Sequence, residues 1–96
     1  MLSRKEIEIL IKQNKPLLQE KYKVKKIGIF GSCAKDQGTT ESDIDILVTF
    51  YEPIGLEFID LKEYLEFILG KKVDLVTEGA LKPQIKEKIL REVVYQ

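Results

Sequence analysis

The chain has 96 residues, and its 16 Lys and Arg balance its 16 Asp and Glu, so the formal net charge is zero. This length suits one compact domain with a modest core, and we expect residues 1–96 to form one domain. Balanced charge gives no long-range positive field, which disfavours direct binding to nucleic acid. With no long apolar run or signal segment, and no disulfide partner for the one cysteine, Cys33, we expect a cytoplasmic protein without membrane contact.

The composition also limits the chemistry, because the chain contains no histidine. Serine or cysteine triads with histidine, histidine-bound zinc and imidazole general bases are therefore excluded within this chain. Any catalysis must use carboxylates, hydroxyls, lysines and bound metal ions.

The first predicted elements are a helix and a strand. Ser3 and Glu6 have the spacing of a capping box, and apolar residues then recur at a helical period up to Leu18. Pro16 is expected to kink or divide this helix, because a mid-helix proline removes a hydrogen bond and clashes with the preceding turn. Residues 24–30, VKKIGIF, predict a strand that ends at a Gly-Ser pair.

The next elements are a strand and a helix. Residues 43–50 alternate as a second strand after the polar loop 35–42. Residues 56–69 predict a second helix with Gly70 as its stop. The apolar face of this helix, which we expect in the core, consists of Phe58, Leu61, Leu65 and Ile68.

The last predicted elements are a third strand over residues 71–77 and a helix that begins near Leu81 or Pro83. The stripe of this final helix consists of Leu81, Ile85 and Ile89. The order α-β-β-α-β-α predicts an α/β (α+β) fold with a small mixed β-sheet packed with helices. The short loop between the first two strands favours an antiparallel pair.

Two aspartates stand one residue apart in the second predicted strand. Side chains alternate along a strand, so Asp43 and Asp45 share one face while their apolar neighbours form the core face. Two such carboxylates would repel each other and raise one pKa. A divalent ion such as Mg²⁺, which prefers oxygen ligands, removes that repulsion.

A third aspartate, Asp74, lies between Val73 and Leu75 in the last predicted strand, where this residue type is uncommon. If that strand lies beside the second, its carboxylate can reach the same site. Three converging carboxylates are what a two-metal phosphoryl-transfer centre needs. The alternative is that these aspartates belong to a solvated strand face.

The Gly31-Ser32 pair directly follows the first predicted strand. Glycine permits close backbone approach or positive φ, and the N–H groups of such a turn bind phosphate when it opens into a helix. The Ser32 hydroxyl would be a further donor. By itself such a pair is more often a plain turn, and neither common glycine-rich phosphate-binding motif is present.

These residues together resemble the nucleotidyltransferase pattern of the DNA polymerase β superfamily: Gly31-Ser32, ten residues, Asp43-Ile44-Asp45, and then a strand aspartate. The likeness is greatest to minimal nucleotidyltransferase (MNT) proteins, the MntA-type antitoxins that pair with HEPN-domain toxins. The resemblance implies a polymerase β-like fold and transfer of AMP from ATP to a tyrosine of a partner HEPN toxin. It also implies a hetero-oligomer with that toxin.

By the same resemblance, Asp43, Asp45 and Asp74 would be catalytic and would bind two Mg²⁺ ions. Gly31 and Ser32 would hold the nucleotide phosphates, and the nucleotide site would include two more residues, Lys35 and Ser42.

The chain departs from the family pattern after the Gly-Ser pair. The family often has Ala-Arg-Gly where this chain has Ala34-Lys35-Asp36, so a positive charge is kept while the two-pronged geometry of arginine is lost. This departure favours the alternative of an antitoxin that neutralises its partner by binding alone. A phosphatase of the haloacid-dehalogenase type is disfavoured, because there the apolar strand precedes the D-x-D motif.

Overall fold

The computed structural model describes residues 3–35 and 43–96. The elements in these ranges are α1 (Arg4–Tyr22), β1 (Val24–Phe30), α2 (Gly31–Ala34), β2 (Ile44–Phe50), α3 (Glu57–Leu69), β3 (Val73–Thr77), a 3₁₀ turn (Glu78–Ala80), α4 (Pro83–Glu92) and β4 (Val94–Tyr95). The sheet has the order β3-β2-β1-β4. β1 is antiparallel to both β2 and β4, whereas β2 and β3 are parallel. The expected mixed sheet and the antiparallel first pair are thus confirmed.

Helix α1 begins with the predicted capping box, in which Ser3 and Glu6 each accept a hydrogen bond from the other's backbone N–H. The helix continues through Pro16, so the expectation that this proline divides it is wrong. A proline in a helix interior costs about 3 kcal/mol. Burial of Ile11 and Leu18, one on each side of the proline and both fully buried, offsets that cost.

The core lies between one face of the sheet and the helices α1 and α3. These helices pack side by side, and the Tyr64 hydroxyl of α3 donates a hydrogen bond to the Asn14 side chain of α1. On α3, Leu61 and Leu65 are buried and Phe58 packs partly against the core, as the apolar stripe predicts. The strands contribute their alternate residues to this cluster, namely Ile27, Ile29, Ile44, Ile46, Val48, Val73 and Leu75. The residues between them lie on the opposite face of the sheet.

The end of the chain differs from the sequence expectation. Helix α4 begins at Pro83, one of the two predicted starts, but no residue of this fully described helix is buried, and Ile85 is 46% exposed. The strand β4 was not predicted. It has two residues, too few to show a pattern, and it pairs with Gly28 and Ile29 of β1. Among the described residues, no helix combines the length and apolar composition needed to cross a bilayer.

Gly28 is the position on β1 that lets the end of the chain approach. A Cβ atom there would lie 2.8 Å from Val93 Cγ2 and 2.9 Å from the Val94 carbonyl oxygen. We expect Gly28→Ala to lower the free energy of unfolding by about 1–2 kcal/mol, because the methyl group would push β4 away. Urea denaturation measures this effect. Gly79→Ala is the control, since a Cβ there meets nothing within 4 Å, and equal stability of the two variants would contradict the expectation.

Candidate active site

Asp45 and Asp74 are direct neighbours in the sheet, because they are register partners in the parallel pair of β2 and β3. Their chain neighbours on both strands are buried in the core, so the two carboxylates lie on the opposite face. The Ile44 N–H donates to the Lys72 carbonyl oxygen at 3.0 Å, which joins the starts of the two strands. Asp43, directly before β2, is at the same end of the sheet.

The first residues of β3 are also fixed from α3. The Val73 N–H donates to Glu66 Oε2 at 2.9 Å. This bond holds the start of β3 against the helix that precedes it in the chain, so the position of Asp74 is set by both α3 and β2.

The electrostatics show that the three carboxylates interact. Burial, as the largest cause, and the negative charges of Asp74 and Asp43 together raise the pKa of Asp45 to about 6. A hydrogen bond between the Asp45 and Asp74 side chains also favours the protonated form. Such a concentration of negative charge suits a divalent cation. Within the described ranges, no group of three potential ligands is arranged to hold a metal ion. The carboxylates are therefore a cluster of negative charge and not a preformed metal site.

The raised pKa of Asp45 makes stability depend on pH. A carboxyl group whose pKa is higher in the folded than in the unfolded protein favours folding when protonated, and this contribution is lost as the pH rises through about 6. Asp45→Asn should therefore stabilise the metal-free protein at pH 7.5 by about 1 kcal/mol, a figure reduced for solvent screening. At pH 4.5, which lies between the ordinary aspartate pKa of 3.8 and the raised value of about 6, we expect a smaller gain.

Urea denaturation in a metal chelator at the two pH values measures this effect. Glu63→Gln, on the exposed side of α3, is the matched control for loss of a carboxylate. A gain from Asp45→Asn that is equal at both pH values would contradict the assignment of the effect to this carboxyl group.

The Gly31-Ser32 turn lies directly beside Asp45, since Phe30 and Asp45 are register partners. Gly31 has φ +72°, and a Cβ atom on it would lie 2.3 Å from Asp45 Oδ2. Both reasons that the sequence suggests for a glycine here, positive φ and close approach, are therefore realised. Ser32 follows in the single turn of α2, whose first N–H groups lack partners within the helix. Backbone donors and carboxylates thus border the same space.

Cys33 and Arg4 support this turn from other elements. Cys33 is buried, and its thiol donates a long hydrogen bond of 3.8 Å to the Asp43 carbonyl oxygen, which ties α2 to the residue before β2. Arg4 Nη1 donates to the Ala34 carbonyl oxygen at 3.3 Å. Sequence reasoning missed Arg4, because no local pattern connects residues so far apart in the chain.

Lys35 follows α2 directly, and its N–H donates to the Ser32 carbonyl oxygen at 3.1 Å. Its ammonium group lies 3.1 Å from Glu92 Oε1, at the end of α4. No sequence pattern points to Glu92. The predicted nucleotide ligand Ser42 and the departure at Asp36 lie outside the described residues.

An open groove of about 440 Å³ lies at the other ends of β2 and β3. Its lining includes Thr49, Tyr51, Glu52, Thr77 and Glu78. Because Asp43, Asp45 and Asp74 are at the beginning of these strands, this groove is separate from the carboxylate cluster.

The family model described as the nucleotidyltransferase domain matches residues 11–96. The chain belongs to this family. Protein adenylyltransferase MntA of Thermococcus cleftensis is 48% identical to it over 96 residues, which cover 99% of this chain and 97% of that protein. A Methanocaldococcus jannaschii protein, provisionally named a protein adenylyltransferase, is 52% identical over 92 residues, or 94% of each chain.

Solved structures share the fold of this nucleotidyltransferase. One, provisionally described as a minimal nucleotidyltransferase, has a TM-score of 0.76 and 34% identity, and the match covers 92% of this chain and 93% of that one. A toxin-antitoxin structure with AMP-PNP has a TM-score of 0.69 and 24% identity, with 98% and 72% of the chains covered. A complex of tri-AMPylated Shewanella oneidensis HEPN toxin with MNT antitoxin has a TM-score of 0.66 and 21% identity, with 93% and 70% covered. The last two likenesses concern the fold alone.

Proposed function

We propose that this nucleotidyltransferase is a Mg²⁺-dependent protein adenylyltransferase. It transfers AMP from ATP to a tyrosine hydroxyl of a partner HEPN toxin and so acts as an antitoxin. The observation that carries the proposal is the juxtaposition of Asp45 with Asp74, with Asp43 interacting and the Gly31 turn alongside. The names of the relatives and the AMPylated toxin in a complex of the same fold support this choice of reaction and partner.

Each residue of the cluster has a defined part in the proposed reaction. Asp43, Asp45 and Asp74 would hold the metal ions, and Asp74 would also help to accept the proton of the acceptor hydroxyl. The N–H groups at Gly31 and Ser32 bind the phosphates. When bound, Mg²⁺ neutralises charge and orients the reacting groups. The acceptor oxygen forms a bond to the α-phosphorus as the bond to the β-phosphate breaks, and pyrophosphate leaves.

A protein acceptor agrees with the surface of α3. Phe67 and Leu56, the residue directly before this helix, are 82% and 80% exposed, and Ile59 is 54% exposed. Their spacing places them on one stripe of the helix. Large exposed apolar side chains of this kind are typical of surfaces that contact other proteins.

The test is incorporation of labelled AMP into a candidate HEPN partner protein that is mixed with this chain, ATP and Mg²⁺. We expect the wild type and Glu20→Gln, which removes an exposed carboxylate from α1, to label the partner and Asp43→Asn to leave it unlabelled. Replacing the acceptor tyrosine of the partner, identified by mass spectrometry, should abolish the label. Equal labelling by the wild type and Asp43→Asn would defeat the proposed mechanism.

An antitoxin that acts by binding alone is the second candidate, and the Lys35-Asp36 departure from the family pattern favours it. Asp45→Asn separates the two functions. If this variant neutralises the toxin fully without ATP, occlusion is sufficient; if neutralisation needs both Asp45 and ATP, AMP transfer is the mechanism.

A further inference from the structure

An ion pair links the proposed phosphate-binding turn to the end of the chain. Lys35 Nζ lies 3.1 Å from Glu92 Oε1, and the two side chains are 48% and 26% exposed. The residues are 57 positions apart in the sequence. Lys35 directly follows α2, and Glu92 is the last residue of α4, which contacts α2. The pair therefore joins two elements that have no connection along the chain.

The position of Glu92 is well fixed by the residues that follow it. The Val93 N–H donates to the Ile89 carbonyl oxygen at 2.9 Å, and a Val93 methyl group occupies the space left by Gly28. β4 then pairs with β1, and the Gln96 N–H donates to the Ile27 carbonyl oxygen at 2.8 Å. Glu92 is thus attached to a segment that is itself bound to the sheet.

The ion pair with Glu92 orders the side chain of Lys35 before a nucleotide binds. Lysine has a long stem that loses much rotamer freedom when it is ordered. Its ammonium group has three N–H donors, and one suffices for Glu92. An anchored Lys35 therefore keeps donors for a second anionic partner while its stem is already ordered.

We propose that Glu92 is a positioning residue that holds Lys35 ready to bind the triphosphate of the nucleotide. This inference rests on the proposed function. It assigns no contact between Glu92 and the nucleotide, because the carboxylate acts through Lys35. The C-terminal segment thereby becomes part of the nucleotide site.

The direction of the change in nucleotide affinity when Glu92 is replaced distinguishes a positioning role from simple charge repulsion. Loss of a negative charge near a polyanion would by itself strengthen nucleotide binding. Loss of the anchor would weaken binding, because Lys35 would then have to be ordered by the nucleotide. A positioning role therefore predicts weaker binding when Lys35 is present and no loss when Lys35 is absent.

The experiment is a double-mutant cycle on the affinity for AMP-PNP with Mg²⁺, measured by calorimetry on the full chain. We expect Glu92→Ala to weaken binding about three- to fivefold, the upper part of the range for an exposed ion pair. Lys35→Met should weaken it by at least about tenfold. The double variant should bind as well as Lys35→Met or better, because Glu92 acts only through Lys35.

Glu87→Ala is the matched control, since Glu87 also forms an ion pair on α4, with Arg91 at 3.5 Å. It should leave the affinity unchanged, and thermal unfolding of each variant reports any loss of fold. Unchanged or tighter binding by folded Glu92→Ala would overturn the positioning role while the proposed function stands. The positioning role would also be overturned if the double variant lost as much binding free energy as the two single variants together. Absence of binding by the wild type would overturn both proposals.

Discussion

Replacement of Asp45 by asparagine is expected to reduce the rate of AMP transfer by about a thousandfold or more, as loss of a central charged group in an active site does. Asp45 is the carboxylate nearest to the other parts of the site: Asp74 is its register partner, and Gly31 lies against its Oδ2. Asparagine keeps the shape and removes the charge. The metal ions would lose a shared ligand, while the turn and the strands would keep their places.

The same variant should be more stable than the wild type without metal at pH 7.5, because burial, the main cause of the raised pKa of Asp45, and repulsion by Asp74 and Asp43 do not act on an uncharged asparagine. A loss of activity accompanied by a gain in stability marks a residue retained for chemistry. Kinetic assays and urea denaturation on one preparation measure both. Glu20→Gln, on the exposed side of α1, should change neither. Wild-type activity in Asp45→Asn, or a loss of activity together with unfolding, would contradict the assigned role.

Replacement of Gly31 by alanine is expected to lower the free energy of unfolding by about 2–3 kcal/mol and to abolish nucleotide binding. Two separate costs add at this position. Its φ of +72° is unfavourable for any residue with a Cβ, and that Cβ would lie 2.3 Å from Asp45 Oδ2. Relief of the clash requires movement of the turn or of the carboxylate. Either movement would separate the proposed phosphate-binding donors from the proposed metal-binding oxygens.

Gly70→Ala provides the matched control, because Gly70 also has positive φ, +67°, and a Cβ there meets nothing within 4 Å. It should cost only the backbone strain, about 1 kcal/mol, and leave nucleotide affinity intact. Urea denaturation and calorimetry with AMP-PNP measure the two quantities. If both alanine variants lose equal stability and keep equal nucleotide affinity, the close approach of residue 31 to Asp45 affects neither folding nor nucleotide binding, and the prediction is contradicted.

Local pattern was enough to predict much of this fold. The strand Val24–Phe30 matches its prediction at both ends, and Gly70 ends α3 as expected. The reason is that alternation and stop signals depend on near neighbours. The same alternation placed Asp45 and Asp74 off the core face. Asp45 and Asp74 are adjacent because β2 and β3 pair in parallel. The sequence pattern is compatible with this pairing but does not specify its register.

The features that sequence reasoning missed depend on distant residues. Glu92 and Lys35 are 57 positions apart, so their ion pair has no sequence signal. The strand β4 has two residues and exists because β1 offers an edge and Gly28 leaves space. Division of the helix at Pro16 was wrongly expected for the same reason, since the burial of Ile11 and Leu18 outweighs the local cost of the proline.

Calorimetry of AMP-PNP binding with and without Mg²⁺ tests the central claim most directly. The claim is that Asp43, Asp45 and Asp74 use metal ions to hold the nucleotide beside the Gly31 turn. We expect binding in Mg²⁺ that weakens at least about tenfold in a chelator, and a loss of this metal dependence in Asp74→Asn. Equal affinity with and without metal, or a metal dependence that survives in Asp74→Asn, would contradict it.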